Sequence, residues 1–450
     1  MKFSKGVLTS LIVISAILVQ GCSDNDSFNP EEPGKLKVMY QDEDTFNQRY
    51  GNLISSKFPN LEIEIVGTQQ LYTLDVNTEE DYKVLIEKEE PDVILMNTLN
   101  QYSELAEKNK LLDLEQMLLE EDFKSADLLP GSLQLLREKG GTTLYGISPY
   151  FCANALYYNR DLFDKYKVPL PTKSLTWPEV IELAKRFPTA GSEEERIYGF
   201  TMNTYLSDLG LTIGETSGLQ TTDSVGKKVT VRTDGWKQVY GMVADAQKSG
   251  AFYFPGNLDY SKLSYEESLK ADKFISGKAA MTLKEFYYAD YMKHVATSGK
   301  IKPVKWGWLR EPVDPANPDV SSSFYLNEIY GVNANSANKE AAWQLVKLIN
   351  GDEAARLLSR SNNSGCLMTR TIYNKPDEGV NYDPFYSLQP RGQSMLYKLG
   401  SFYRSFRPLM NKELEAVVSG SKNMDEALAT LQNEGQLELD MLNKRLAKGR

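Results

Sequence analysis

The sequence predicts an α/β protein built as two lobes, and three observations carry that reading. At 450 residues the chain is longer than one hydrophobic core usually serves, so two domains are expected. From Lys35 onward, strand-patterned segments alternate with helix-patterned ones, which implies parallel strands joined by helical crossovers. Hydrophobic residues at 41% and charged residues at 25% are the proportions of an ordinary globular protein, with no bias toward disorder.

Within the first stretch, KLKVMY reads as a strand, DTFNQRYGNLISSKF as an amphipathic helix and LEIEIVG as a second strand. TEEDYKVLIEKE then reads as a helix and PDVILMN as a buried strand. In open sheets of this kind ligands bind beyond the carboxyl ends of the strands. That rule puts Tyr40, Gln41 and Asp42 at one such end, and Asn97, Thr98 and Asn100 at another. Each also has a plainer reading as turn or capping chemistry.

The next segment, QYSELAEKNKLLDLEQML, is helical with a polar break. A further helical stretch follows it, then TTLYGISPYF as a strand. The adjoining ANALYYNRDLFDKY reads as a strand turning into a helix. In VPLPTKSLTWPEVIELAKRF, Thr176 is an N-cap, Pro178 sits in the first helical turn, and Val180, Ile181 and Ala184 form the apolar stripe.

The first 21 residues carry Lys2 and Lys5, then an apolar run from Val7 to Val19, the proportions of a secretory signal peptide. Cys22 after Gly21 has the pattern of a lipidation site, so the mature chain is expected to hold to a membrane through an N-terminal lipid at Cys22. Residues 22 to 34 would be its polar tether. The net charge is −10, which falls to about −12 without the leader and argues against a nucleic-acid partner. Beyond Cys22 only Cys152 and Cys366 remain. One pair gives no spacing pattern, and the reading preferred is two buried free thiols, with a disulfide as the alternative.

The stretch LYGISPYFCANALYYNRDLFDKYKVPLPTKSLTWPEVIELAKRF resembles the crossover region of bacterial extracellular solute-binding proteins of the maltose- and oligosaccharide-binding kind. Further echoes keep the family's order: PDVILMNTLNQYSELAEKNKLLDL, SGKAAMTLKEFYYADYM, YGVNANSANKEAAWQLVKLINGDEAARLLS and SGSKNMDEALATLQNE. The resemblance spans roughly residues 35 to 440. It departs at Lys284 and Glu285, where the family usually has Gly-Trp.

The resemblance implies a two-lobed periplasmic-binding-protein-like fold of type II, with the ligand cleft between lobes. It puts crossings near 148 to 153, 324 to 330 and 395 to 402. Lobe 1 would be 35 to 148 plus 331 to 395, and lobe 2 would be 149 to 330 plus 396 to 450. Expected ligand contacts are Tyr40, Asp42, Asn97, Asn100, Tyr150, Phe151, Glu285, Phe286, Trp308, Tyr325 and Tyr403, with Leu156, Tyr157 and Phe163 packing lobe 2 instead. Aromatic rings suit such a site because a pyranose offers C–H patches on its faces and hydroxyls at its rim. The implied function is capture of a small solute, foremost an oligosaccharide, and delivery to an ABC transporter permease by a monomer. Alternatives are a surface sensor or adhesion lipoprotein of the same fold, and a binder of polyamines or other small cations through Asp42 and Glu285.

No catalytic pattern stands out. His294 lies in a polar stretch without metal-ligand or triad partners, and H-E-x-x-H, G-x-S-x-G, P-loop and C-x-x-C patterns are missing. No cofactor and no metal are expected, and an extracellular glycoside-acting enzyme is the lesser reading.

Overall fold

The computed structural model describes residues 28–29, 32–72, 78–119, 123–192, 195–256, 258–361, 365–375, 381–391 and 400–448. The expected signal peptide, Cys22, residues 22–27 and 30–31 of the tether and most of the third crossing lie outside the described residues. Strand β1 (Gly34–Tyr40) alternates the lysines 35 and 37 with buried Leu36 and Val38. It pairs in parallel with β2 (Leu61–Gly67) and with β3 (Val93–Met96). All four residues of β3 are buried, as an inner strand of a sheet covered on both faces requires.

The chain then runs through β4 (Tyr150–Cys152) directly into β5 (Asn154–Asn159). With β6 (Tyr198–Thr201), β7 (Phe252–Tyr253), β8 (Ala279–Glu285) and β9 (Trp306–Arg310), β5 forms a second sheet of order β7-β6-β8-β5-β9. Four short strands follow: β10 (Val320–Ser321), β11 (Tyr325–Asn327), β12 (Ile329–Val332) and, later, β13 (Leu367–Met368). A last one, β14 (Gln389–Pro390), pairs with β10. Strand β12 completes the first sheet as β12-β3-β1-β2, while β11 and β13 flank β4 in a small antiparallel sheet. The protein is thus a two-lobed α/β molecule whose small sheet sits at the passages β4 to β5 and β11 to β12.

Helices Gly400–Ser419 and Met424–Lys448 pack on each other and on helices Leu206–Thr216 and Asp234–Lys248 beside the second sheet. Phe402, Phe406, Met410, Leu428 and Leu431 join Trp236 and Tyr240 in one core. Close approach is built in at Gly214, where a Cβ would come within 2.4 Å of the Trp236 ring. Thr176 caps helix Trp177–Ala184 with a reciprocal bond from Glu179, and Pro178 lies in its first turn, as expected.

Three local expectations are corrected. Cys152 and Cys366 form a disulfide rather than two free thiols. They face each other because β13 pairs with β4 at Leu367–Phe151, which puts position 366 opposite 152 with 4.9 Å between Cα atoms. The segment 142 to 148 is not a strand and makes only the isolated bridge of Ile147 to Tyr330. Gly141 and Thr142, at φ of 70° and 90°, turn the chain there, and Pro149 has no N–H to give a ladder. The tether is not wholly free either, since Phe28 sits edge-on to Phe58 at 5.4 Å.

Candidate functional site: the cavity beyond the first sheet

The loops after β1 and β2 are knitted together at the carboxyl edge of the first sheet. Thr68 N donates to the carbonyls of Tyr40 and Gln41 at 2.8 and 3.1 Å, and Gln69 N donates to Gln41 at 3.0 Å. Asn97 follows β3 alongside them, its N–H held by the Gln101 side chain at 2.9 Å. These loops and the passage from β11 to β12 enclose a cavity of about 340 Å³ lined by Tyr40, Gln41, Thr68, Gln69, Leu95, Asn97, Asn327 and Glu328. The lining mixes amides, a hydroxyl, a carboxylate and one ring, the chemistry that hydrogen-bonds hydroxyl groups.

Behind this wall lies a buried polar cluster. The helix of residues 43 to 57 contains one wide π-helical turn over Asn47–Gly51, and this turn presents Arg49 and Tyr50 to the passage. Arg49 pairs with the Glu328 carboxylate, which also accepts from the hydroxyls of Tyr50 at 3.2 Å and Tyr330 at 3.0 Å. Arg49 Nη1 donates to Tyr40 Oη at 2.9 Å and the guanidinium lies 5.5 Å from the centre of the Tyr150 ring. Burial works against the Arg49 charge, yet Glu328 and the surrounding tyrosine oxygens raise its pKa above the ordinary arginine value. Burial likewise pushes the Tyr40 and Tyr150 hydroxyls up, so both stay protonated. Glu328 is the single residue between β11 and β12 and has φ of 62°, in the left-handed region that favours glycine.

Of the contacts expected from sequence, the structure places Tyr40 and Asn97 on the cavity wall. Tyr150 is buried just behind it, opposite the lining residue Asn327 in the β4–β11 pair. Tyr325, two residues from Asn327 and so on the same strand face, reaches Glu285 at the end of β8, its hydroxyl 3.4 Å from both carboxylate oxygens. Burial raises the Glu285 pKa, opposed by that hydroxyl and by Lys284. Asp42 does cap work: it accepts from Thr45 N at 2.7 Å and Oγ1 at 2.9 Å, and the Thr45 N–H bond lowers its pKa. Asn100 lies on the first turn of helix Leu99–Glu107.

The remaining rings make packing contacts away from this cavity, and Trp308 also lines a separate cavity of about 460 Å³ with Thr172, Lys173, Ser174 and Pro384. Phe151 points away from Tyr150 and stacks on Phe324 at 5.3 Å. Phe286 and Trp308 join Tyr382 and Phe385 in an aromatic cluster, with Trp308 Nε1 donating to the Asn381 carbonyl at 2.7 Å. Tyr403 bonds Thr221 inside the second lobe. His294 is exposed on helix Tyr287–Ser298. Among the described residues no cluster of His, Cys, Asp or Glu could hold a metal, and no helix is long and apolar enough to cross a membrane. Sequence reasoning missed Arg49, Tyr50, Glu328, Thr68 and Gln69. The last two follow β2 and could have been found by applying the strand-end rule to every strand.

Comparison with known proteins follows the same lines. Residues 40–356 match the model of the family described as Bacterial extracellular solute-binding protein. Over 151 residues the chain is 29% identical to the sn-glycerol-3-phosphate-binding periplasmic protein UgpB of Agrobacterium fabrum, covering 31% of this chain and 33% of that one. The chain thus spans about a third of the length of the curated relatives it matches. Among solved structures it is similar to a sugar transporter from Rhizobium etli in an open conformation, with TM-score 0.63 and 20% identity over 89% of this chain and 98% of that one. A family 1 extracellular solute-binding protein from Alicyclobacillus acidocaldarius superimposes with TM-score 0.66 at 12% identity, over 91% and 99% of the two chains. At these identities the structural likeness speaks for the fold.

Proposed function

The chain belongs to the bacterial extracellular solute-binding proteins, a family of ABC-importer receptors that work outside the cytoplasm, and from that premise we propose that it captures an oligosaccharide and hands it unchanged to a membrane permease. The observation that carries this reading is the 340 Å³ cavity at the carboxyl edge of the first sheet, walled by Gln41, Thr68, Gln69, Asn97 and Asn327 with the Tyr40 ring among them. Amides and hydroxyls of this kind both give and accept hydrogen bonds, as the rim of a sugar demands. The sugar-transporter description of the Rhizobium etli structure supports the same ligand class.

In this reading the ligand also meets the second lobe, through Glu285 and Tyr325, and the lobes close about the passages near 148 to 153 and 324 to 330. Lobe 1 comprises 35 to 148 plus 331 to 395, and lobe 2 the remainder from 149 to 330 and 396 to 450. Cys22 carries a lipid that holds the mature monomer to the membrane. Affinity is near micromolar, roughly −8 kcal/mol.

The test is thermal shift of the purified protein against oligosaccharides, polyols, polyol phosphates and polyamines, with product analysis on any hit. A rise in melting temperature with neutral oligosaccharides and an intact sugar afterwards is expected. A shift with amines alone, or steady sugar turnover, would overturn it. For the anchor, Cys22→Ala should release the protein from membranes into the medium, and continued membrane retention of the full-length variant would refute lipidation.

A further inference from the structure

Glu328 occupies a position where the backbone would prefer another residue. It is the only residue linking β11 to β12, its φ is 62°, and glycine or asparagine would take that conformation with less strain. What the position gains from glutamate is the side chain, whose two oxygens are taken up by Arg49, Tyr50 and Tyr330. Arg49 and Tyr50 reach it from a π-helical turn, an uncommon geometry that is itself concentrated at functional sites. Two separate departures from ordinary backbone therefore converge on one ion pair.

The place of that pair relative to the cavity matters. Among the described residues Glu328 is the one charged residue on the wall, and Arg49 lies directly behind the wall, bonded to the lining residue Tyr40. Asp42, beside the lining residue Gln41, is occupied by its own helix cap. The side chains of Arg49 and Glu328 are only 14% and 11% exposed, so the field of either one alone would be weakly screened in the cavity.

We infer that Glu328 and Arg49 form the charge filter of this cavity: paired, they present a neutral wall that selects uncharged sugars, and the balance between them decides whether acidic or basic sugars are admitted. The inference rests on the sugar-receptor reading above. Glu328→Gln leaves a guanidinium without its counter-charge behind the wall, which favours a carboxylate-bearing ligand. Arg49→Met leaves the carboxylate alone, which favours an ammonium-bearing one.

The experiment is calorimetric titration of wild type, Glu328→Gln, Arg49→Met and the double variant with three probes of matched length: neutral gluco-oligosaccharides, oligogalacturonides and glucosamine oligomers. Wild type is expected to bind the neutral series tightest. Glu328→Gln should move the acidic-to-neutral affinity ratio at least tenfold toward the acid, Arg49→Met should move the basic-to-neutral ratio tenfold toward the amine, and the double variant should return to the neutral preference. The double variant leaves no charge unpaired and so is expected to fold where a single variant does not, and a folded double variant that had lost the neutral preference would overturn the filter. Neutral binding with ratios unmoved in the folded variants, or a wild type that prefers either charged series, overturns this inference alone. A wild type that binds none of the probes overturns the sugar-receptor reading and this inference with it.

Discussion

Ser148 Oγ lies 2.7 Å from the carbonyl of Asn327, so one buried hydroxyl ties together the two stretches of chain that pass between lobes. The same oxygen is 2.7 Å from the Tyr150 carbonyl, and the Ser148 carbonyl accepts from Thr369 Oγ1 at 2.7 Å. Ser148→Ala removes a donor at a site only 2% exposed, and should cost about 1 to 2 kcal/mol in urea unfolding. A variant as stable as wild type would mean that the hydroxyl is not holding the passages.

The disulfide offers a larger effect. Cys152 and Cys366 are 214 residues apart, and closing so long a loop removes much of the unfolded chain's freedom. Replacing both with serine should lower stability by about 2 to 5 kcal/mol. The same loss should follow addition of reductant to wild type during a melt, and a melt indifferent to reductant would contradict it. Bonds of this kind persist in oxidising surroundings, in keeping with an extracytoplasmic receptor.

Cavity residues separate from packing residues by their signature. Gln41 and Gln69 are exposed on the wall, so Gln41→Ala or Gln69→Ala should weaken a confirmed sugar by about 0.5 to 1.5 kcal/mol each while leaving the melting temperature unchanged. Tyr150 and Phe286 are 2% and 5% exposed, and their replacement by alanine should instead destabilise the fold by roughly 3 to 5 kcal/mol. For Tyr150 the informative change is to phenylalanine, which keeps the ring under Arg49 and removes only the hydroxyl.

Glu285 predicts a pH dependence. Burial raises its pKa above the ordinary 4.5, so ionising it in the folded state costs free energy. The wild type therefore loses stability as pH rises from the unfolded value through the folded one. Glu285→Gln keeps a partner for the Tyr325 hydroxyl and has no such loss, so its melting temperature should exceed wild type at pH 8 and converge with it at pH 4. Parallel curves across that range would show the carboxyl to be unperturbed.

Closure is testable by small-angle scattering. A ligand favours the closed form only to the extent that it binds it better, and contacts from both lobes are what provide that difference. The radius of gyration should fall on saturation with a confirmed ligand, and an unchanged radius would argue against closure.

Local signals in the sequence were sufficient wherever the physics is local. Alternation in Leu36, Val38 and Tyr40 marks β1, and Thr176 with Glu179 and Pro178 marks a helix start, because each depends on neighbours within a turn or two. The strand-end rule found Tyr40 and Asn97 for a related reason: parallel topology alone decides where strand ends meet. Arg49 and Glu328 are 279 residues apart and become partners only when β12 docks beside β3, which no local pattern records. Cys152 and Cys366 depend in the same way on the register of β13 against β4. Among the aromatics, Phe151 differs from Tyr150 only in the side of the strand it faces, and an outgoing strand of three residues is too short for alternation to say which side that is.

The second lobe starts at β5 but draws Phe402, Phe406, Leu428, Leu431 and Leu439 from the last two helices into its core. During synthesis, then, Trp236 and Tyr240 wait for partners that lie far downstream of them in the chain. A nascent chain of this order keeps that core incomplete until residues 402 to 439 have been made. For a protein that works beyond the cytoplasm, such a delay favours a polypeptide still loose enough to thread through a membrane.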